Sequence, residues 1–307
     1  MIDFLVSVLS LTIPAGTALL LGTLGEVYAE RSGVLNLGVE GMMIMGAITA
    51  FGVTFVTKNL LLGILAACVA GALMSLIHAY VSVTLRVNQV VSGLALTMVG
   101  LGISGLIGKQ FIGMPLPVRM TPISIPVLSD LPVLGPVLFR YNLLVYISIG
   151  LVPVLAYILY KTNWGIVLRS VGENPAAADA MGVNVFLVRY LAVMFGGVMA
   201  GLAGAFLSVA YAPAWIEGMT AGAGWIVIAL TIFSLYDPVR AMFGAYLFGG
   251  VRVLQFRLQP LGIPANFLNM LPFLITIFVL VLISEQAFRR RIGVPAALMQ
   301  PYSREDK

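Results

Sequence analysis

Charged, redox-active and metal-binding side chains are scarce in this sequence. Only 9% of the 307 residues are Asp, Glu, Lys or Arg, and 60% are hydrophobic, whereas a soluble domain carries about 25% charged residues. So little charge cannot cover a water-soluble surface. Cys68 is the single cysteine and His78 the single histidine, which excludes an intrachain disulfide and a thiolate metal site. We therefore predict no metal site and no catalytic residues.

The chain also lacks the Gly-x-x-x-x-Gly-Lys-Ser/Thr loop that cradles nucleotide phosphates. Any work driven by a nucleotide would therefore need another polypeptide. The net charge of +5 does not indicate a nucleic-acid partner, because in membrane proteins Lys and Arg are distributed by membrane side. We predict that the chain binds no nucleic acid and is not an enzyme.

Long runs without charge predict an all-α fold, a polytopic transmembrane bundle of about 8–10 spans, in which each backbone polar group bonds within its own helix. Residues 1–307 are interpreted as one transmembrane domain in the cell membrane, surrounded by lipid. The nine predicted spans are Phe4–Leu24, Val34–Val56, Leu60–Leu85, Val87–Gly108, Leu143–Tyr160, Tyr190–Tyr211, Gly218–Tyr236, Val239–Phe256 and Phe267–Ser284. The eighth has a short uncharged core between Arg240 and Arg252, so it is our candidate for a broken or re-entrant helix.

The distribution of Lys and Arg predicts the orientation of these spans. Eleven lie on one side and six on the other, and the side with more of them is the cytoplasmic one. This places the amino terminus outside the cell. It also places two polar segments in the cytoplasm, the loop 161–189 and the tail 285–307.

A short helix is predicted inside the cytoplasmic loop. Asn174 is a good N-cap, Pro175 suits the first helical position, the three alanines that follow favour helix, and Gly182 can end it. Such a small helix between two spans either docks on a soluble motor protein or is an ordinary connection.

Several motifs then resemble one family. The loop sequence from Arg169 to Gly182 is similar to the coupling loop of ABC importer permeases of the branched-chain amino acid, simple sugar and nucleoside group. The segment 25–42, GEVYAERSGVLNLGVEGM, resembles the start of the nucleoside-type permeases, and the segments 88–93 and 197–204 add further similarity in the same order. The resemblance covers roughly residues 20–250.

This resemblance implies a transport subunit that works by alternating access. ATP and Mg would bind a partner ATPase subunit, a second and homologous permease would complete the pathway, and an extracellular or periplasmic binding protein would deliver the substrate. The residues that the resemblance assigns to ATPase coupling are Arg169, Gly172, Glu173, Asn174, Pro175, Ala176, Ala177, Ala178, Asp179 and Gly182.

Polar residues in the apolar spans are the candidates for the substrate pathway. Glu40 is costly to bury and is therefore a functional candidate, although a hydrogen bond to a neighbouring helix would also account for it. Asn36 lies one turn earlier, and Asn88 and Gln89 are candidates of second rank. Nucleosides are the leading substrates, with ribose-like sugars and branched-chain amino acids as alternatives. An ion-coupled secondary transporter would need paired intramembrane acids, and Glu40 alone gives it little support.

Overall fold

The computed structural model describes residues 2–261, 264–283 and 293–304, and most of these residues are helical. The helices are α1 Ile2–Arg31, α2 Val39–Thr57, α3 Leu60–Ala79, α4 Gln89–Gly108, α5 Leu134–Leu138, α6 Leu143–Lys161, α7 Asn163–Glu173, α8 Pro175–Ala180, α9 Val185–Ala205, α10 Ala223–Phe233, α11 Pro238–Leu258 and α12 Ala265–Ile283. The prediction of an all-α, polytopic membrane fold is confirmed.

Asparagine marks the beginning of many of these helices. In each case the side-chain oxygen accepts a hydrogen bond from a backbone N–H of the first turn, which would otherwise lack a partner. The capping residues are Asn59 of α3, Asn88 of α4, Asn142 of α6, Asn174 of α8 and Asn184 of α9. These local bonds stabilise the first turn of each of these helices.

The number of full-length spans differs from the prediction. Among the described residues, six helices are long and apolar enough to cross a membrane. The predicted seventh span, Gly218–Tyr236, is wrong in length, because its helix α10 has 11 residues and covers about 16 Å of a roughly 30 Å hydrocarbon layer. The eighth, α11, is a continuous helix of 21 residues that carries three arginines, so the break falls one helix earlier than we predicted.

Four helices form the centre of the bundle. Helix α9 packs against α1, α2 and α3, and α1 also packs along α11. Glycines allow these backbones to approach each other. A Cβ added at Gly71 would lie 2.0 Å from the Gly197 carbonyl oxygen, and one added at Gly46 would lie 2.4 Å from the Gly201 carbonyl oxygen. Gly197, Gly201 and Gly204 thus form a small packing face on α9, whereas a Cβ at Gly102 of α4 would meet nothing within 4 Å.

The proline-rich segment 113–141 contains little regular structure. Its strands β1, Ile123–Ser124, and β2, Arg140–Tyr141, form a two-residue antiparallel pair in which Ile123 faces Tyr141. Its start pairs with the segment before α10 through a bridge between Pro115 and Ala214. The last predicted cytoplasmic segment, 285–307, is described only at 293–304, and its basic run at 289–291 lies outside the described residues.

The close approach of α3 and α9 gives a stability prediction. Substituting Gly197→Ala places a methyl group 2.2 Å from the Ser75 hydroxyl oxygen, and we expect this overpacking to destabilise the protein by roughly 1–3 kcal/mol. Thermal unfolding of purified protein, followed by size-exclusion chromatography, measures the loss. The matched control is Gly102→Ala, where nothing lies within 4 Å. An unchanged melting temperature for Gly197→Ala would contradict the packing.

Candidate functional site

The short helix α8 forms as the sequence predicts. The Asn174 side chain accepts a hydrogen bond from the Ala177 N–H at 2.9 Å, and Pro175 is the first helical residue. Gly182 follows the helix with φ of +87°, a conformation that glycine adopts without strain. Ala178 packs inward, whereas Ala176, Ala177 and Met181 are exposed. The helix therefore presents a small apolar face at the end of the bundle.

Helix α7 precedes α8, and residues of the coupling motif hold it in place. Arg169 donates to the Gly165 carbonyl oxygen at 3.2 Å and lies over the Tyr160 ring. Gly172 packs so closely on α1 that an added Cβ would lie 2.1 Å from the Arg31 carbonyl oxygen. Glu173 is exposed at the junction with α8.

Residues 293–304, which we call the strap, lie across this region. Arg304 donates three hydrogen bonds to the Asp179 carboxylate, at 2.7, 3.0 and 3.1 Å. The Ala297 N–H donates to the Gly172 carbonyl oxygen at 2.9 Å. The strap therefore contacts both α8 and the end of α7.

The strap also contacts the connection between α1 and α2, residues 32–38, which we call the α1–α2 turn. The Met299 N–H donates to the Gly33 carbonyl oxygen at 3.2 Å. The buried Arg189 bridges the two segments, because its guanidinium donates to the carbonyl oxygens of Ser32 and Gln300, each at 3.2 Å. A continuous set of contacts thus joins α8 to the turn.

Arg304 changes the electrostatics of Asp179. Its hydrogen bonds hold the pKa of the Asp179 carboxyl below the ordinary value. A carboxyl whose pKa is lowered in the folded state stabilises that state above its unfolded pKa of about 3.9, and the effect disappears as the pH falls through the lowered value. The Asp179 carboxylate therefore stays ionised throughout the neutral range.

Glu40, at the start of α2, is bonded to the segment before α10. One carboxylate oxygen accepts from the Thr220 hydroxyl at 2.6 Å and from the Gly222 N–H at 3.0 Å, and the other accepts from the Gly224 N–H at 2.6 Å. The side chain is 4% exposed. These amides belong to the amino-terminal end of α10, where a negative charge is favourable. Glu40 therefore stabilises the start of a helix that would otherwise leave polar groups unbonded in the bilayer.

The opposite end of α10 is held by Arg31. Its guanidinium donates to the carbonyl oxygens of Leu235 and Tyr236, at 3.3 and 3.2 Å, and to that of Gly293 in the strap at 3.2 Å. The charged residues that flank the α1–α2 turn thus hold both ends of one short helix.

The other pathway candidates bond to backbone. The Asn36 side chain accepts from the Gly38 N–H at 2.9 Å, and the Gln89 side chain accepts from the Leu35 N–H at 2.8 Å. Asn88 caps α4. The structure brings Asn36, Glu40 and Gln89 to the α1–α2 turn, and their role in the substrate pathway stays a prediction.

Sequence reasoning did not select two buried carboxylates of α1. Glu26 accepts a hydrogen bond from the Asn36 N–H at 3.0 Å, and Glu30 lies one helical turn further along, beside the Tyr236 ring. Both are at most 1% exposed. Acidic residues four apart in an apolar helix are the signal that would have found them.

The bonds of Glu40 give a prediction about the start of α10. Glu40→Gln removes the charge and puts an amide donor against backbone N–H donors, so we expect a loss of about 2–4 kcal/mol in stability. Amide hydrogen exchange of residues 218–226 should accelerate. The control is Glu217→Gln, an exposed acid in the same segment, which should change little. Unchanged protection in Glu40→Gln would show that the carboxylate does not hold the segment.

The ion pair between Arg304 of the strap and Asp179 of α8 gives a charge-exchange prediction. Asp179→Arg and Arg304→Asp each put like charges together, so each should release the strap and accelerate hydrogen exchange at residues 293–304. The double variant restores opposite charges and should restore protection. If the double variant remains as unprotected as either single one, the pair does not hold the strap.

Comparison with known proteins gives the family of the chain. Residues 8–280 match the family model described as the branched-chain amino acid transport system permease component. TsgC13 of Haloferax volcanii, which carries the name of a glucose ABC transporter permease protein, is 42% identical over 99% of both chains. The guanosine ABC transporter permease protein NupQ of Bacillus subtilis is 37% identical over 97% of this chain and 98% of its own.

A third relative is the nucleoside ABC transporter permease protein NupC of Lactococcus lactis, which is 34% identical over 88% of this chain and 90% of its own. No solved structure shows significant similarity to the chain.

Proposed function

The chain belongs to the family of permease components of branched-chain amino acid-type transport systems, and we propose that it imports nucleosides. ATP hydrolysis on a partner subunit opens and closes the pathway. As a family member it is a multi-pass membrane transport subunit and not an enzyme, and its transporter includes an ATPase. The observation that carries the proposal is the exposed helix α8. A series of hydrogen bonds connects this helix to the interior of the bundle.

The ATPase binds at α8. Three properties support this. Helix α8 is exposed, it lies at the end of the bundle where α6 ends and α9 begins, and its sequence resembles the coupling loop. ATP and Mg bind the ATPase subunit. Closure of the ATPases on ATP displaces α8 and with it the strap.

The movement of α8 and the strap is then transmitted to the interior of the bundle through hydrogen bonds of charged residues. The strap bonds to the α1–α2 turn through Gly33 and Arg189, and the flanking residues Arg31 and Glu40 hold the two ends of α10. A shift of the turn therefore moves α10 as a body. Such a movement of one rigid element against a bundle is a common way to alternate access.

Nucleosides are the favoured substrates because two similar permeases, at 37% and 34% identity, are named for guanosine and nucleosides. Glucose is the second candidate, because the relative at 42% identity carries that substrate in its name. A second permease subunit and an external binding protein complete the transporter, as in the importers that the chain resembles.

Uptake by the purified complex in proteoliposomes tests this function. With ATP inside and loaded binding protein outside, we expect uptake of radiolabelled guanosine and uridine that requires ATP. Glucose, ribose and leucine are tested in parallel. Uptake that follows an ion gradient and persists without the ATPase would contradict the proposal, and uptake of glucose alone would select the second candidate.

Binding of the ATPase gives a separate prediction. Ala177→Arg adds a large charged group to the exposed face of α8, so the ATPase should no longer co-purify with the permease. The control is Val127→Arg, which adds the same charged side chain at a residue that is 79% exposed, in the proline-rich segment 113–141. Co-purification that survives Ala177→Arg would show that the ATPase binds elsewhere.

A further inference from the structure

The segment 212–222 is non-helical backbone that leads into the membrane-embedded helix α10. The chain leaves α9 through the irregular helical turn Phe206–Tyr211 and begins α10 only at Ala223. Because α10 is about 16 Å long and its inner end is held at Arg31, its outer end lies near the middle of the bilayer. Non-helical backbone at this depth is tolerated only where protein buries it or where it lines a cavity.

The backbone of this segment is also strained. Gly218 and Gly222 reach φ of +67° and +80° without strain, whereas Ala221 has φ of +47°, a conformation that residues with a side chain rarely adopt. Such strain persists when surrounding bonds enforce it, and it concentrates at ligand sites. Here the Glu40 carboxylate supplies those bonds, because it holds the neighbours Thr220, Gly222 and Gly224.

A cavity of about 310 Å³ lies against this segment, a volume at the lower end of small-molecule sites, which run from roughly 300 to 1,000 Å³. Thr220 and Ala221 form one wall, and α11 forms the opposite wall with Phe248, Arg252 and Gln255. Aromatic, hydroxyl, amide and guanidinium groups thus converge on one partly open cavity.

Arg252 is the residue that a purely structural cavity would not need. It is half-buried and lies 14 residues after the start of α11, so it is at membrane depth. No carboxylate of the described residues lies within ion-pairing distance of it. An arginine inside a membrane bundle is costly unless it faces a polar cavity or a partner, and it marks substrate pathways by default.

We infer that this cavity is the nucleoside-binding site of the permease, with Arg252 and Gln255 donating hydrogen bonds to the base or ribose oxygens and Phe248 contacting the base. This inference rests on the proposed function. A guanidinium pairs well with the two adjacent acceptors of a guanine edge, and an aromatic ring favours a flat base. Glu40 shapes the site through the strained segment without touching the substrate.

The first experiment compares Arg252, which lines the cavity, with another arginine of α11 that does not. Arg252→Gln removes the guanidinium, and we expect the KM for guanosine uptake by the reconstituted complex to rise roughly tenfold to a hundredfold. ATP hydrolysis stimulated by loaded binding protein should remain, because the ATPase surface is untouched. The matched control is Arg257→Gln, five residues further along α11 and outside the cavity lining. It should leave the KM unchanged.

A second experiment measures occupancy directly and does not depend on transport. Cys68 is the single cysteine, so Cys68→Ser gives a background in which Ala221→Cys is the only thiol of the chain. We expect a water-soluble methanethiosulfonate reagent to label residue 221 in the complex, and guanosine to protect it. The control is Glu217→Cys in the same background, which lies outside the cavity and should be labelled with or without guanosine. Mass spectrometry of the permease reads both results.

The outcomes distinguish the site from the function. If the unaltered complex takes up guanosine with ATP while Arg252→Gln keeps its KM and guanosine fails to protect residue 221, the site is wrong and the proposed function stands. If the unaltered complex transports no nucleoside, the proposed function and the nucleoside site both fail. Protection by glucose and not by guanosine would also overturn the nucleoside site.

Discussion

The structure depends on the bonds that Glu40 makes to the beginning of α10. In hydrocarbon each backbone N–H needs a partner, and a helix that starts in the middle of the bilayer exposes several at once. A single carboxylate accepts two of these amides and the Thr220 hydroxyl, and its negative charge meets the positive end of the helix dipole. Because this bond network exists, the chain can enter the membrane without helix and form one wall of a cavity there.

The same short helix is held at its inner end by Arg31, nine residues before Glu40 in the sequence. The two charges therefore fasten α10 to both ends of one turn, and the strap fastens that turn to α8 through Arg189 and the backbone of Gly33. Rigid helices linked by charge-assisted bonds move together more readily than they deform. This arrangement explains how a movement at α8 can reach the cavity that we propose for the substrate, about half a membrane away.

Much of this could be predicted from the sequence, and the remainder has a physical reason. Composition indicated the membrane fold, and Asn174, Pro175 and Gly182 predicted α8, because these signals act within one turn of chain. The short α10 could not be predicted, since Gly218–Tyr236 is apolar enough to span and the bonds that hold its start come from Glu40 on another helix. In the sequence, Arg252 could be interpreted only as a charge that interrupts a span. The cavity that it lines has its other wall in a segment more than 30 residues earlier, and this proximity is visible only in the structure.

The most direct test of the account is a distance measured between α8 and the start of α10 in the working transporter. Spin labels at Ala180→Cys and Ala221→Cys, in the Cys68→Ser background, report this distance by pulsed electron paramagnetic resonance. We predict that the distance shifts when the ATPases are trapped with nucleotide and vanadate, and that Arg304→Asp, which separates the strap from α8, abolishes the shift. A distance that changes equally with and without an intact strap would contradict transmission through these contacts.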